Sequence, residues 1–174
     1  IASRNTVLDY IDVLEKLYLI ENQDAFSTNL RSSNRIGKSA KRHFVDPSLV
    51  CGILGLTSEK LIGDVNFLGF LFESLCERDL RIYIESYNGN LYHFRDNTSG
   101  LEIDAIVEMP DGEYGAIEIK LGTDKIEEAA KNLLKFNDVV TKKPKFLCVI
   151  SGLNEAIIKR PDGVYVLPIT ALKN

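Results

Sequence analysis

Three charged residues interrupt a stretch that otherwise has the apolar pattern of two β-strands joined by a tight turn. In GLEIDAIVEMPDGEYGAIEIKLG, residues 100–122, these residues are Asp104, Glu118 and Lys120. Carboxylate oxygens are the ligands that a hard ion such as Mg²⁺ accepts. An ammonium group beside them could orient water or stabilise a phosphate. The residue types therefore point to metal-assisted phosphate chemistry, provided that the two strands bring them together.

The register of this hairpin decides whether the two acids meet. Side chains alternate along a strand, so Ile103 is expected on an apolar face and Asp104 on the opposite face, which would carry the function. A three-residue loop that ends at Gly112, with this glycine in the left-handed conformation, pairs Met109 with Glu113. This pairing makes the apolar faces of the two strands coincide.

The same register places Asp104 opposite Glu118 and Glu102 opposite Lys120. Two carboxylates that face each other on a sheet repel unless a cation or a proton lies between them. The pair therefore predicts a ligand. The alternative is a solvated sheet face with a weak salt bridge between Glu102 and Lys120.

A fourth acid lies in a strongly apolar helix, predicted over residues 66–79 and capped by Asn66 or Asp64. Glu73 is the central charge of this helix and is surrounded by large apolar residues. Burying an unpaired carboxylate is costly. We therefore favour a functional role for Glu73 over that of an exposed acid on an amphipathic helix.

The remaining elements follow from hydrophobic periodicity and turn residues. Helices are predicted at 6–18 and 124–138, and a turn at Asp46–Pro47. Strands are predicted from Leu19, at 43–45, 91–95, 101–109, 114–121, 145–150 and 164–167. The first helix and its two strands resemble a partial winged helix, so we divide the chain into residues 1–55 and 56–174. The second part has the order α, three strands, α, two strands, which predicts an α/β (α+β) fold with a mixed sheet.

An acid in a helix, EID on one strand and EIK on the next resemble the PD-(D/E)xK nuclease superfamily. Asp104 matches the motif aspartate, Glu118 and Lys120 match the (D/E)xK pair, and Glu73 matches the helical acid. Ile103 stands in place of the motif proline. The resemblance implies a restriction-endonuclease-like mixed sheet flanked by helices. It also implies Mg²⁺ or Mn²⁺ held by Glu73, Asp104 and Glu118, with Lys120 positioning water for phosphodiester hydrolysis in a nucleic acid.

The segments TVLDYIDVLEKLYLI, KRHFVDPSLVCGILG, FLGFLFESLCERDL, YHFRD, GLEIDAIVE and AIEIKLG look, in that order, like the carboxy-terminal half of a family of bacterial and archaeal AAA+ ATPases. In that family a winged helix and a nuclease-like domain of unknown function follow the ATPase module. The resemblance implies that ATP binds only in a module upstream of Ile1, which would be a partner within the same polypeptide. The rival interpretation is a catalytically inactive regulatory module that binds a partner or DNA.

Two further features bear on partners. The chain has 174 residues and a formal net charge of −4, which argues against a globally basic nucleic-acid-binding protein. A local concentration of positive charge is a candidate DNA contact, equal in weight to a solvated loop. The residues of this concentration are Arg31, Arg35, Lys38, Lys41 and Arg42. Arg95 is a separate candidate, for which a salt bridge with Asp96 is the simpler explanation.

The three cysteines are widely spaced in apolar contexts, which favours buried thiols in a reducing compartment. No apolar run approaches the length of a membrane span, so we expect a cytoplasmic protein. His43 and His93 have no partner spacing and are expected to be structural. Because the chain starts at Ile1 and its only methionine is Met109, we expect that the native start lies upstream.

Overall fold

The computed structural model describes residues 3–27 and 40–172. In chain order the elements are α1 (Arg4–Lys16), β1 (Ile20–Gln23), β2 (Lys41–Phe44), α2 (Pro47–Ile53), α3 (Ser58–Gly63), α4 (Val65–Ser86), β3 (Asn90–Asp96), β4 (Leu101–Glu108), β5 (Tyr114–Lys120), α5 (Ile126–Val139), β6 (Leu147–Ser151), β7 (Ile158–Lys159) and β8 (Tyr165–Pro168). Short 3₁₀ turns precede α5 and follow β8.

Six strands form one mixed sheet in the order β3-β4-β5-β6-β8-β7. The consecutive strands β3, β4 and β5 are antiparallel, whereas β6 and β8 run parallel to β5. Helix α5 makes the crossover from β5 to β6, as a parallel pair requires. Strand β7 was not predicted from the sequence and pairs with β8 at the edge. The chain therefore has the predicted mixed α+β architecture, with a sheet flanked by helices.

Each face of the sheet carries a buried core, because a helix packs on each side. Leu133 and Phe136 of α5 lie in one core, and Cys76 and Leu80 of α4 lie in the other. As a result, all residues of β5 except the last are buried. The expectation of one apolar and one open face is therefore wrong at β5, where Glu118 lies within a strand that is covered on both sides.

The β4–β5 hairpin has the predicted register. Ala105 pairs with Ile117, and the Met109 N–H donates to the Glu113 carbonyl oxygen at 2.8 Å. Gly112 has φ of +78°, the left-handed conformation expected for the loop glycine. Loop length and glycine placement thus specify the register that brings the two acidic strands together.

A bulge interrupts the pairing of β4 with β3. One residue of β3, His93, faces two residues of β4, Asp104 and Ala105. The extra residue shifts the alternation of side chains, so Ile103 and Ile106 both lie in the α5 core. The expectation that Ile103 lies on the other face, with the apolar residues of the hairpin, is wrong for this reason.

The long helices differ from the predictions mainly at their ends. Ser3 caps α1 by accepting the Thr6 N–H at 3.2 Å, so the helix begins two residues earlier than predicted, at Arg4. Asp64 caps α4 through its carboxylate, one of the two predicted caps. Helix α4 continues to Ser86 rather than residue 79, because its C-terminal turns also pack on the sheet.

Asp46 and Pro47, predicted as a turn, begin a helix instead. The Asp46 carboxylate accepts the Ser48 N–H at 2.9 Å, and the proline occupies the start of α2. The sequence analysis predicts neither α2 nor α3, which have only seven and six residues. Helices this short carry too little periodicity to be recognised.

Strands β1 and β2 form a separate two-stranded antiparallel sheet after α1. The chain then joins the main sheet, where Ala25 bridges to His93 of β3. Phe26 is 2% exposed and packs against Tyr92 and Tyr114. The N-terminal part is thus anchored in the main core, and its separation as a domain of residues 1–55 stays a prediction.

Two expectations from composition can be compared with the described residues. Cys51, Cys76 and Cys148 are free thiols, and the latter two are buried as expected. Within residues 3–27 and 40–172, no helix combines the length and the apolar character needed to cross a membrane.

Candidate functional site

The candidate site lies where the bulge of β4 meets the end of β5. Lys120 Nζ lies 2.9 Å from Oδ2 of Asp104 and 2.6 Å from Oε2 of Glu118. The backbone N–H of Ile119 donates to the same Asp104 oxygen at 2.8 Å. One ammonium group therefore bridges the two carboxylates whose meeting the hairpin register predicts.

Helix α4 adds two carboxylates to this site, and β2 adds a second lysine. Lys41 Nζ contacts the Glu73 carboxylate directly and lies 3.4 Å from Oε1 of Glu77. It also lies 3.9 Å from Oδ1 of Asp104. Glu73 and Glu77 are one helical turn apart, so they share a face of α4. Lys41 thus connects the acids of the helix to the acid of the sheet.

A buried chain of polar contacts ties β2 to the same place. His43 Nδ1 contacts the Glu77 carboxylate, and His43 Nε2 lies 3.0 Å from Oε1 of Gln23. The Gln23 amide nitrogen donates to the carbonyl oxygens of Tyr92, at 2.9 Å, and Asp104, at 3.2 Å. Gln23, His43 and Glu77 are all buried, so their polar atoms depend on these partners.

Two lysines do not neutralise the four carboxylates of this site. We call the six residues the acidic cluster: Glu73, Glu77, Asp104, Glu118, Lys41 and Lys120. Its formal net charge is −2. Burial opposes the charged form of each lysine, but the surrounding carboxylates outweigh burial and raise the pKa of both. Both lysines are therefore held as ammonium ions.

The two sheet carboxyls respond differently to their surroundings. Burial opposes ionisation of Asp104, but Lys120, Lys41 and the Ile119 N–H outweigh it and lower its pKa. Glu118 is 2% exposed, and burial, followed by the charge of Asp104, raises its pKa to about 8 despite the pull of Lys120. Asp104 is thus ionised, while Glu118 titrates near neutral pH, which gives neighbouring carboxyls separate capacities for proton transfer.

Glu73 resembles Glu118 in this respect. Burial and the charge of Asp104 raise the pKa of Glu73, and Lys41 opposes the rise. The helical acid is therefore sensitive to whether Lys41 is present, since this lysine favours its ionised form.

The structure brings together the four residues that the motif predicts: Glu73, Asp104, Glu118 and Lys120. Carboxylate oxygens suit a hard divalent cation chemically. The arrangement differs from a closed ligand set, since the carboxylates are directed at lysines. Among residues 3–27 and 40–172, no group of three or more His, Cys, Asp or Glu residues is placed to hold a metal ion.

The basic residues predicted to contact nucleic acid lie in different surroundings. Three fall outside the described residues: Arg31, Arg35 and Lys38. Lys41 belongs to the acidic cluster, and Arg42 Nε lies 3.7 Å from Oε1 of Glu15. Arg95 Nε lies 2.9 Å from Oε1 of Glu102, and both side chains are exposed. Glu102 of β4 thus pairs with Arg95 of β3. The salt bridge between Glu102 and Lys120, which was the alternative interpretation of these charges, is not formed.

The sequence analysis did not identify three residues of the buried chain of polar contacts as site residues: Glu77, His43 and Gln23. Glu77 carried a signal, because it follows Glu73 by one turn in an apolar helix. His43 is two residues from Lys41, so both project from the same side of β2. His43 has no partner nearby in the sequence because its partner, Glu77, lies on another element.

An apolar pocket of about 470 Å³ lies away from the acidic cluster, on the α4 side of the sheet. Its lining includes Tyr83, Met109, Phe146, Ile150 and Leu172, and no member of the cluster. The pocket and the ionisable site are therefore separate features of the domain.

The mixed sheet, its two covering helices and the acidic cluster define an α+β domain with a charged site at its central hairpin. Residues 68–172 match the family model Domain of unknown function (DUF4143), and the chain belongs to that family. Domains of this family are often found at the C-terminus of AAA-ATPase-like proteins. Residues 2–60 match a second model, Domain of unknown function (DUF8612). Comparisons with curated proteins and with solved structures gave no match.

Proposed function

We propose that the DUF4143 domain of this chain is a nuclease-like domain that hydrolyses phosphodiester bonds of nucleic acid with the help of Mg²⁺ or Mn²⁺. The main support is the convergence of three acids, Glu73, Asp104 and Glu118, with two ammonium groups at the end of one hairpin. The oxygen chemistry of the cluster fits a hard divalent cation. In this proposal Glu73, Asp104 and Glu118 are the ligands.

A bound ion would supply neutralisation of phosphate charge and a more acidic water molecule. The protein side chains supply the rest. Asp104 stays ionised because Lys120 and the Ile119 N–H stabilise its charge. Glu118 has a pKa of about 8 without an ion, and the positive charge of a bound cation would favour its ionised form, which is the form that can serve as a ligand. Lys120 carries a fixed positive charge beside the position where phosphate charge would develop.

The proposed partners come from the resemblance to AAA+ ATPase tails. DNA is the proposed substrate, and an ATPase module of the same polypeptide is the proposed regulator, with ATP bound in that module. The frequent position of DUF4143 domains at the C-terminus of AAA-ATPase-like proteins is compatible with this arrangement.

A plasmid-nicking assay tests the proposal. We expect wild type to nick supercoiled DNA with Mn²⁺ or Mg²⁺ and to be inactive with EDTA. Lys120→Met should reduce the rate by at least about 100-fold, as expected for a group that stabilises developing charge. Lys145→Met is the matched control, because Lys145 is a more exposed lysine that pairs with Glu113. Absence of ion-dependent nicking by wild type, or equal activity of the Lys120 variant, would refute the proposal.

A specific observation favours a second function, that of a regulatory module without turnover. The ammonium groups of Lys41 and Lys120 already contact the carboxylates that would hold an ion. Under this alternative, wild type binds duplex DNA or the ATPase module but does not nick plasmid at any Mn²⁺ concentration. Fluorescence anisotropy with a labelled duplex, measured beside the nicking assay, distinguishes binding without cleavage from hydrolysis.

A further inference from the structure

Ser151 is a buried serine at the end of β6. It is 0% exposed, and its hydroxyl has no hydrogen-bond partner among residues 3–27 and 40–172. A buried hydroxyl without a hydrogen bond has given up its interactions with water for nothing, which is destabilising. Most buried hydroxyls are therefore bonded, either to the protein or to an ordered water molecule. The Ser151 hydroxyl thus calls for a partner other than the described residues.

The strand register places Ser151 beside Lys120. In the parallel pairing of β5 with β6, Lys120 is the partner of Ser151, and Glu118 is the partner of Val149. Val149 lies in the core on the α5 side of the sheet, so Ser151, two residues later, projects from that side too. The next residue, Gly152, lies against side chains of the opposite side. Ser151, Lys120 and Glu118 therefore share one face of the sheet.

The other neighbours of Ser151 on this face are apolar. On β8 its register partner is Pro168, and the nearest residue of β6 on the same face is Val149. Helix α5 covers this side of the sheet with small apolar residues, including Ala129 and Ala130. Polar side chains near the hydroxyl therefore come from β5, where Lys120 is the direct neighbour.

Lys120 has an N–H donor beyond those that its two carboxylate contacts use. An ammonium group carries three donors. Lys120 Nζ lies 2.9 Å from Oδ2 of Asp104 and 2.6 Å from Oε2 of Glu118, which accounts for two of them. The hydroxyl of Ser151 does not bond to the ammonium group directly. A single oxygen atom between them would complete the hydrogen bonding of both groups.

We propose that Ser151 is a positioning residue of the acidic cluster, whose hydroxyl holds an ordered water molecule that accepts the third N–H of Lys120. Water suits this place because it accepts from the ammonium group and also bonds to the hydroxyl, and Glu118 supplies a third polar group on the same face. This is a structural water, distinct from one that attacks a phosphate. It fixes the direction of the ammonium group from the side opposite the carboxylates.

The inference rests on the proposed function only for the use of Lys120 in hydrolysis, and its tests need no nucleic acid. The first test follows the ammonium nitrogen of Lys120 by NMR in the whole ¹⁵N-labelled chain. The resonance is assigned by its loss in Lys120→Met. Ser151→Ala should shift this resonance, because the water loses its anchor. Ser151→Thr keeps the hydroxyl and should return the resonance toward the wild-type position.

Ser86→Ala is the control for loss of a serine hydroxyl. Ser86 ends α4, about 20 Å along the helix from Glu73, and its hydroxyl donates to the Tyr83 carbonyl oxygen at 2.7 Å. Its replacement should leave the Lys120 resonance unchanged.

Urea unfolding adds a readout in which the two interpretations of the hydroxyl differ in sign. If Ser151 bonds to a buried water molecule, Ser151→Ala removes that hydrogen bond and the urea midpoint should fall. If the hydroxyl has no partner, alanine removes a buried unsatisfied group, and the midpoint should stay the same or rise.

A crystal structure of wild type keeps the inference testable if Ser151→Ala does not fold. It should show an ordered water oxygen about 2.7 to 3.2 Å from both Ser151 Oγ and Lys120 Nζ. Absence of this water, an unchanged Lys120 resonance in Ser151→Ala, or an unchanged or higher urea midpoint overturns the inference and leaves the proposed hydrolysis in place. Failure of wild type to nick plasmid overturns the proposed function and leaves the water site in place.

Discussion

Replacement of Glu118 by glutamine should change how the stability of the protein depends on pH. Glu118 has an ordinary pKa of 4.5 and a pKa of about 8 in the folded protein, raised first by burial and then by Asp104. Between these values the folded protein retains a proton that the unfolded chain has already released. Glu118 therefore stabilises the fold fully below pH 4.5, and this contribution is lost as pH rises toward about 8.

The magnitude follows from the same pKa. A tenfold change in a proton-binding constant corresponds to about 1.4 kcal/mol, so the rise from 4.5 to about 8 corresponds to about 5 kcal/mol. This figure is an upper limit, because Asp104 and Lys120 readjust when Glu118 ionises. Glutamine resembles the protonated carboxyl and stays neutral. Glu118→Gln should therefore become more stable relative to wild type as pH rises, by up to several kcal/mol.

Urea unfolding in the presence of EDTA, at several pH values between 4.5 and about 8, measures the effect. Glu102→Gln is the control, because Glu102 lies on the neighbouring strand with a 53% exposed side chain. Its pH profile should run parallel to that of wild type. If the Glu118→Gln and wild-type profiles are also parallel, the buried carboxyl does not hold its proton, and the assignment of separate roles to Asp104 and Glu118 fails.

Two further substitutions test the cluster and the anchoring of the N-terminal segment. Lys120→Met should lower the free energy of unfolding more than Arg95→Met does, because Lys120 lies between largely buried carboxylates. An exposed pair such as that of Arg95 contributes only about 0 to 1 kcal/mol. Equal urea midpoints would contradict this ranking. Phe26→Ala should cost about 3 to 5 kcal/mol, since the ring is 2% exposed, whereas Tyr10→Ala should cost far less at 67% exposure. A small loss for Phe26→Ala would show that the segment is not anchored in the core.

The hairpin is the part of the site that the sequence specifies most completely. Alternation along each strand and a three-residue loop with Gly112 determine the register, and this register brings Asp104 and Glu118 together. All of these features are local, so they can be recognised without knowledge of the rest of the chain. Glu73 could be identified from the sequence for a similar reason, because it is the central acid of an apolar helix.

The features that the sequence did not specify depend on contacts between distant elements. Lys41 was interpreted as part of a basic loop because its neighbours in sequence are basic, whereas its neighbours in space are Glu73, Glu77 and Asp104. No periodicity within β2 indicates which element covers it. The bulge at Ala105 was also missed, because no glycine or proline marks it and it breaks the alternation from which faces are assigned.

The bulge in β4 determines where residue 104 lies, but it does not determine which side chain stands there. Deleting one residue there would restore regular alternation and turn Leu101 and Ile103 away from the α5 core, where both are buried. A lineage that lost the bulge would thus lose part of its hydrophobic interior, whatever the use of the site. Evolution can exchange the side chain at position 104 by a point mutation, but it cannot move that position along the strand without repacking the sheet. Core packing therefore preserves the position of residue 104. Only selection for activity preserves its carboxylate.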